Sequence, residues 1–266
     1  MMGQCLAWVG RQVIAGGTYA RDIMAISYFS FRELFITPAS RRRTMFRVMS
    51  QQLVFTGVDA LPMIGIVALL LGSVMIIQAG VSLHTVGAED LLGTMMVVVL
   101  IRELGPLLTA FVVIGRSGAA ICTELGDLRV GMQIKTLHAM GIRIVAFVVL
   151  PRMMAVVLAM ICLTIYFDLI AVVGGIAVAK FTLGAPFSLF FDTLERSLGL
   201  TDVLITGLKG GLFGLVVAAI CCHHGLSVQH AAAEVPQATM RAILGSVTVC
   251  VLLDLLLIVI VGVSFI

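Results

Sequence analysis

Between Leu61 and Ile77 there is no charged residue, and the run Leu-Pro-Met-Ile-Gly-Ile-Val-Ala-Leu-Leu-Leu-Gly-Ser-Val-Met-Ile-Ile is apolar almost throughout. With its flanking residues it is long enough to cross the hydrocarbon core of a bilayer as a helix. In lipid a spanning segment must satisfy its own backbone hydrogen bonds, so a run like this one admits a helix and little else. Four further long apolar runs follow it. The 266 residues are 61% hydrophobic and 12% charged, with a mean hydropathy of +1.16. Soluble domains are about half apolar and a quarter charged, so the composition excludes that class. The expectation is an all-α integral membrane protein with five transmembrane helices.

The spans are predicted at about 53–77, 91–114, 144–179, 202–222 and 242–265, within one unit covering 51–266. The third is longer than the ~20 residues a crossing needs, so its start projects from the bilayer near Pro151-Arg152. Residues 1–50 mix aromatic and basic residues without a window long and apolar enough to span. They read as an amphipathic helix lying in the interface, followed by a basic anchor at Arg41 to Arg43; an ordinary tail is the alternative. The first 20 residues lack the continuous apolar core of a cleavable signal peptide. Ser82 to Asp90 reads as a short polar loop, Gly115 to Arg143 as a polar and largely helical connector, and Pro186 to Ser197 as a short surface helix.

Orientation follows from Lys and Arg. Seven lie in the N-terminal segment, and Arg116, Arg129, Lys135, Arg143 and Arg152 lie in the connector and the start of the third span. The loop after the first span has none. The N-terminus and the connector are therefore expected on the cytoplasmic side, and the C-terminus on the opposite side.

Charge inside the apolar phase is the next signal. Arg102 and Glu103 end the run that begins at Leu91. Translocon scales put an ionisable group at a helix centre at roughly 2.5–3.5 kcal/mol unfavourable, so such groups face protein or a cavity. Neighbours on a helix point about 100° apart, so the pair cannot neutralise itself and each member needs its own partner. Pro106 has no N–H to offer the carbonyl of Arg102 and bends the helix there. Kink, open carbonyl and charges coincide as they do where a helix lines a polar site, although a structural ion pair reads equally well. Asp168, Lys209 and Asp254 lie inside the third, fourth and fifth spans. They read as packing pairs or as a proton relay, with packing favoured because nothing in the sequence aligns them.

Other motifs are weaker. Gly115-Arg116-Ser117-Gly118 matches the G-x-S-G of an intramembrane serine hydrolase, but His223, His224 and His230 fall in a predicted cytoplasmic loop, away from Ser117. Small residues for close helix packing explain the same four letters. The histidines have no carboxylate at ligand spacing. The six cysteines show no metal spacing and read as small buried hydrophobes. The fifteen methionines are core filler, and in a membrane cavity they would suit a flexible acyl chain. No G-x-x-x-x-G-K-[ST] occurs, so any ATP would be hydrolysed on another subunit. No metal, cofactor or nucleic-acid partner is expected.

Several of these segments together carry a resemblance. Leu100-Ile101-Arg102-Glu103-Leu104-Gly105-Pro106 is similar to an R-E-L-G-P signature, and Gly115-Arg116-Ser117-Gly118-Ala119-Ala120 to a G-R-x-G-A-A. Glu124-Leu125-Gly126, Arg129-Val130, Gln133-Ile134, Met140-Gly141 and Pro151-Arg152 continue in register. Gln52-Leu53, Gly57-Val58 and Leu61-Pro62 precede them, and Ala238-Thr239-Met240-Arg241 and Leu253-Asp254 follow. The chain resembles the MlaE/YrbE permeases, membrane subunits of bacterial lipid-transporting ABC systems that work with MCE proteins. The likeness runs from about Arg47 to the C-terminus.

The resemblance implies five transmembrane helices, a membrane-lying N-terminal helix and a homodimer in the bacterial inner membrane, multi-pass, with a periplasmic C-terminus. It implies phospholipid held in a cavity between two copies and exchanged with a periplasmic MCE-domain protein, in maintenance of outer-membrane lipid asymmetry. Arg102, Glu103, Pro106 and Arg241 would belong to that cavity. Segment 124–141 would be a cytoplasmic coupling helix on an ABC ATPase, with Glu124, Leu128, Arg129, Met132, Gln133, Lys135, Leu137 and His138 at the contact. Relatives carry acids where this chain has Met132, Lys135 and His138, and a Gly-rich loop where it has Cys222-His223-His224-Gly225. These changes bear on which ATPase is the partner and on homodimer against heterodimer. The function expected is a transport subunit without catalysis of its own; the alternatives are an intramembrane serine hydrolase using Ser117 and a non-transporting membrane scaffold.

Overall fold

The computed structural model describes residues 39–86, 92–141, 143–178, 199–228 and 231–264, with a few positions between Arg21 and Arg32. Most of the expected interfacial helix, the expected surface helix at Pro186 to Ser197, and His230 lie outside the described residues. Within the described residues there are helices and turns and no strand.

The chain enters as α1, Ala39–Thr56, with Arg41 to Arg43 in its first turns, and continues after a short break as α2, Leu61–Val86. The break has a local cause. Gly57 N–H donates to Leu53 O at 2.7 Å and Ala60 N–H to Gly57 O at 3.2 Å, which tightens the backbone into a 3₁₀ turn, Val58–Ala60. A Cβ on Gly57 would stand 2.8 Å from Leu53 O, so this turn accepts no side chain. Pro62 then restarts the helix in a first turn, where a missing N–H costs nothing. Helix α2 runs on through Ser82 to Val86, so the first half of the expected polar loop is helical.

Next comes a helical run with two changes of pitch. After a short turn, α3 (Leu92–Met95), the backbone widens into a π-helix over Met96–Leu104. It returns to α over Gly105–Val113 (α4), widens again over Ile114–Gly118, and continues as α5, Ala119–Val130. Gly105 N–H reaching back to Leu100 O is the five-residue step that defines the wider coil. A tight turn at Gly131-Met132 leads to α6, Gln133–Ala139. After a third π segment, Val145–Val149, come α7 (Leu150–Val178), α8 (Leu200–Ser227) and α9 (Glu234–Ser264).

Five stretches of the described residues are long and apolar enough to cross a membrane: Met45–Ser82, Met96–Val130, Val145–Val178, Thr201–Ser227 and Glu234–Ile260. The chain is an all-α, multi-pass membrane protein. Helices α7 and α8 form its centre, and glycines let them approach their neighbours. A Cβ on Gly210 of α8 would meet Thr164 Oγ1 at 2.6 Å, and one on Gly214 would meet Met160 at 3.0 Å. Such close approach is the main source of helix association where the solvent is itself apolar. Buried Phe167, Phe213, Ile64, Ile101 and Met160 fill the space between the helices. Helix α9 lies at the outside, with Leu252, Leu255, Leu256 and Val259 more than half exposed.

Candidate functional site: an ion cluster within the apolar spans

The charges embedded in the apolar spans meet at one place. Arg102 Nη2 stands 2.6 Å from Asp202 Oδ1. Glu103 Oε2 accepts from Lys209 Nζ at 2.5 Å, and the same Nζ lies 2.6 Å from Asp254 Oδ1. Three helical stretches thus contribute two cations and three carboxylates: the π-helix Met96–Leu104, α8 and α9. Each member of the Arg102-Glu103 pair does find a separate partner, as their angular separation requires.

Proline and π-helix explain how Lys209 is held. Pro106 has no N–H for the carbonyl of Arg102, and Lys209 Nζ donates to that carbonyl at 3.1 Å. The ammonium therefore donates to Arg102 O and Glu103 Oε2 and stands in ion-pair contact with Asp254. Asp202 is doubly engaged as well: its Oδ2 accepts the Gly199 N–H at 2.9 Å and caps α8 while its Oδ1 faces Arg102. Lys209, Asp202 and Asp254 are buried, with side chains 6%, 7% and 10% exposed. Arg102 and Glu103 are the open members, at 30% and 33%. They border a cavity of about 180 Å³ whose other walls are Lys209, Ile205, Leu208, Leu212 and Leu257. The site offers one basic and one acidic head at the mouth, their counter-ions behind, and apolar walls.

Asp202 is not among the site residues the sequence points to, and there Lys209 and Asp254 read as packing charges. One signal was present: Asp202 and Lys209 are seven residues apart and so share a face of α8. Asp168 does not join the cluster. It sits on α7 against Gly105, where a Cβ would come within 2.5 Å of its Oδ1. Pro106 is buried behind the site and is not part of the cavity wall. Arg241, expected at the cavity between two copies, is exposed near the start of α9. It precedes Asp254 by thirteen positions, roughly 20 Å along a helix.

The connector ends are tied down by two other arginines. Arg116 Nη2 donates to Phe55 O at 2.5 Å, stands 3.4 Å from Asp59 Oδ2, and its guanidinium lies 5.0 Å from the Phe55 ring centroid. It clasps the break between α1 and α2. Arg152 Nη2 meets Glu124 Oε1 at 2.5 Å while its Nη1 donates to Val148 O at 2.9 Å, joining α7 to α5. Glu124, expected at a partner contact, is thus already engaged within the chain. Thr123 and Thr239 are 3.1 Å apart and link α5 to α9. Further along, Met132, Gln133, Lys135 and His138 are exposed, Leu128, Arg129 and Leu137 are half-buried, and Ile134 anchors α6 to the protein. Met132 adopts a left-handed φ of 59°, which makes the turn between α5 and α6.

The hydrolase alternative needs a base on Ser117, and among the described residues no histidine hydrogen-bonds it. Ser117 Oγ is buried and has no hydrogen-bond partner among the described residues. His223 and His224 lie on α8 with their rings edge to face, 5.5 Å apart. They are helical residues, although the sequence predicts a loop there. Gly118 instead serves packing: its missing side chain lets Cys221 Sγ of α8 approach to 3.0 Å of where a Cβ would be.

Comparison with known proteins bears on this geometry. The family described as Permease MlaE matches residues 49–260, which include every member of the ion cluster. The chain belongs to the MlaE permease family. Among its relatives, a probable ABC transporter permease protein of Rickettsia bellii is 31% identical over 227 residues, 85% of this chain and 87% of that one. The intermembrane phospholipid transport system permease protein MlaE of Haemophilus influenzae is 29% identical over 258 residues, 97% of each chain. The chloroplastic protein TRIGALACTOSYLDIACYLGLYCEROL 1 of Arabidopsis thaliana is 27% identical over 207 residues, 78% of this chain and 59% of that one. The MlaE-family membership and the five spans together make this chain a membrane-embedded permease.

Proposed function

We propose that this MlaE-family chain is the permease subunit of an ABC transporter that moves phospholipid between the bacterial inner membrane and a periplasmic MCE-domain protein, in maintenance of outer-membrane lipid asymmetry. The observation that carries the reading is the cavity among the apolar spans, bordered by Arg102 and Glu103, with Ile205, Leu208, Leu212 and Leu257 on its walls. Charged heads beside apolar walls match an amphiphile that presents a phosphate and acyl chains. The relationship to the Haemophilus phospholipid transport permease supports the same substrate class.

The partners follow from the surface. Arg102 and Glu103 are one-third exposed, and on the helices that carry their ion partners Leu204, Leu208 and Leu255 are 66%, 69% and 61% exposed. Charges within apolar spans are costly against lipid, and a second copy of the chain would cover them and close the cavity. The exposed residues Met132, Gln133, Lys135 and His138 would meet a separate cytoplasmic ATPase, which supplies the hydrolysis. With the connector cytoplasmic by its Lys and Arg content, the N-terminus is cytoplasmic and the C-terminus periplasmic.

The test is purification of the full chain without cross-linker, with mass spectrometry of what accompanies it. An ATPase, an MCE protein and phospholipid are expected in the eluate. A preparation that moves no lipid and retains neither lipid nor ATPase would overturn the reading.

A further inference from the structure

Among the described residues the ion cluster is unbalanced. It sets Glu103, Asp202 and Asp254 against Arg102 and Lys209, an excess of one negative charge if all are ionised. The imbalance matters because water screens it poorly among apolar spans. It is also directional. Asp202 and Asp254 are buried behind the cavity and committed to Arg102, the α8 cap and Lys209. Glu103 commits only Oε2, to Lys209; its Oε1 accepts no hydrogen bond from any described residue, and the side chain is 33% exposed at the cavity mouth. Beside it Arg102 presents a guanidinium that is 30% exposed. The mouth is therefore a donor cation and an acceptor anion side by side, one residue apart in sequence.

We propose that this cavity selects zwitterionic, amine-bearing phospholipids over anionic ones, with Arg102 taking the phosphate and Glu103 Oε1 the ammonium. The proposal rests on the phospholipid reading above and narrows it. Guanidinium and phosphate match in geometry and in charge. A phosphate seated on Arg102 brings a second negative charge close to Glu103. A headgroup amine answers both that charge and the cluster's excess. A glycerol headgroup answers neither and leaves Glu103 facing phosphate unopposed. Repulsion of the wrong ligand is then as much the source of selectivity as attraction of the right one.

The experiment uses the full-length chain in nanodiscs made from equal parts phosphatidylethanolamine and phosphatidylglycerol with identical acyl chains. Lipids retained after extraction are counted by native mass spectrometry. The wild type should retain phosphatidylethanolamine over phosphatidylglycerol by about fivefold, the size expected for a partly exposed charge pair. Glu103→Gln should bring the two lipids to parity, mainly by retaining more phosphatidylglycerol. Glu103→Asp, which keeps the charge, should keep the preference and shows that a changed ratio is not misfolding. Equal retention by the wild type, or an undiminished preference in Glu103→Gln, overturns the selectivity while leaving the phospholipid reading intact. Retention of neither lipid by the wild type overturns both.

Discussion

Lys209 is the residue on which the site's charge pattern turns. Its ammonium joins Glu103, Asp254 and the carbonyl freed by Pro106, and its side chain is 6% exposed. Removing one partner of a buried ion pair costs about 3–5 kcal/mol, because the other charge is left without compensation. Lys209→Met is therefore expected to lower stability by that order. Adding Asp254→Leu should recover part of the loss, since the stranded carboxylate goes with it. Unfolding of the purified variants in one detergent checks this; a double variant less stable than Lys209→Met would show that the pair is not the unit. Glu103 has a different role, being open to the cavity. Glu103→Ala should reduce lipid transport by roughly fivefold to tenfold, the range for a charged contact that is partly solvated, while abundance and assembly change little. Transport at the wild-type rate in protein of normal abundance would sink that assignment.

At the scale of elements, the π-helical stretches set where side chains point. A π turn inserts an extra residue into the helical repeat, so Arg102 and Glu103 sit at the end of a coil whose register differs from that of α4 beyond it. Arg116 and Arg152 then brace the other end of the same run against the α1–α2 break and α7. This leaves α6 projecting, held by Ile134 and otherwise exposed at Gln133, Lys135 and His138. Charges on such a surface act more on partner choice than on raw affinity. Lys135→Asp combined with His138→Glu should weaken binding of the native ATPase and improve binding of an ATPase whose own permease carries acids at these places. The contrast should be largest at low salt, where the Debye length is long. Pull-down of both ATPases at two salt concentrations reads it. Identical binding by variant and parent would move the selection to Leu128, Met132 and Leu137.

For the whole molecule the prediction is a dimer with phospholipid between the copies, because one chain leaves Arg102 and Glu103 one-third exposed within the apolar spans. Native mass spectrometry from nanodiscs should show two chains with bound lipid; a monodisperse, active monomer would contradict it. Helical, membrane-spanning architecture was legible from the sequence alone, because charge-free runs such as Leu61 to Ile77 leave the backbone no other way to satisfy its polar groups. So was the need of Arg102 and Glu103 for separate partners, which follows from the 100° step of a helix. Those partners were not legible. Asp202 and Lys209 lie about a hundred residues away in sequence, and Asp254 lies further still; which charges meet depends on how α8 and α9 pack against the π-helix, while Gly210 and Gly214 set α8 close against α7. Local sequence determined the elements and the cost of each buried charge; only the tertiary structure decided which charges offset one another, and on which side the cluster was left open.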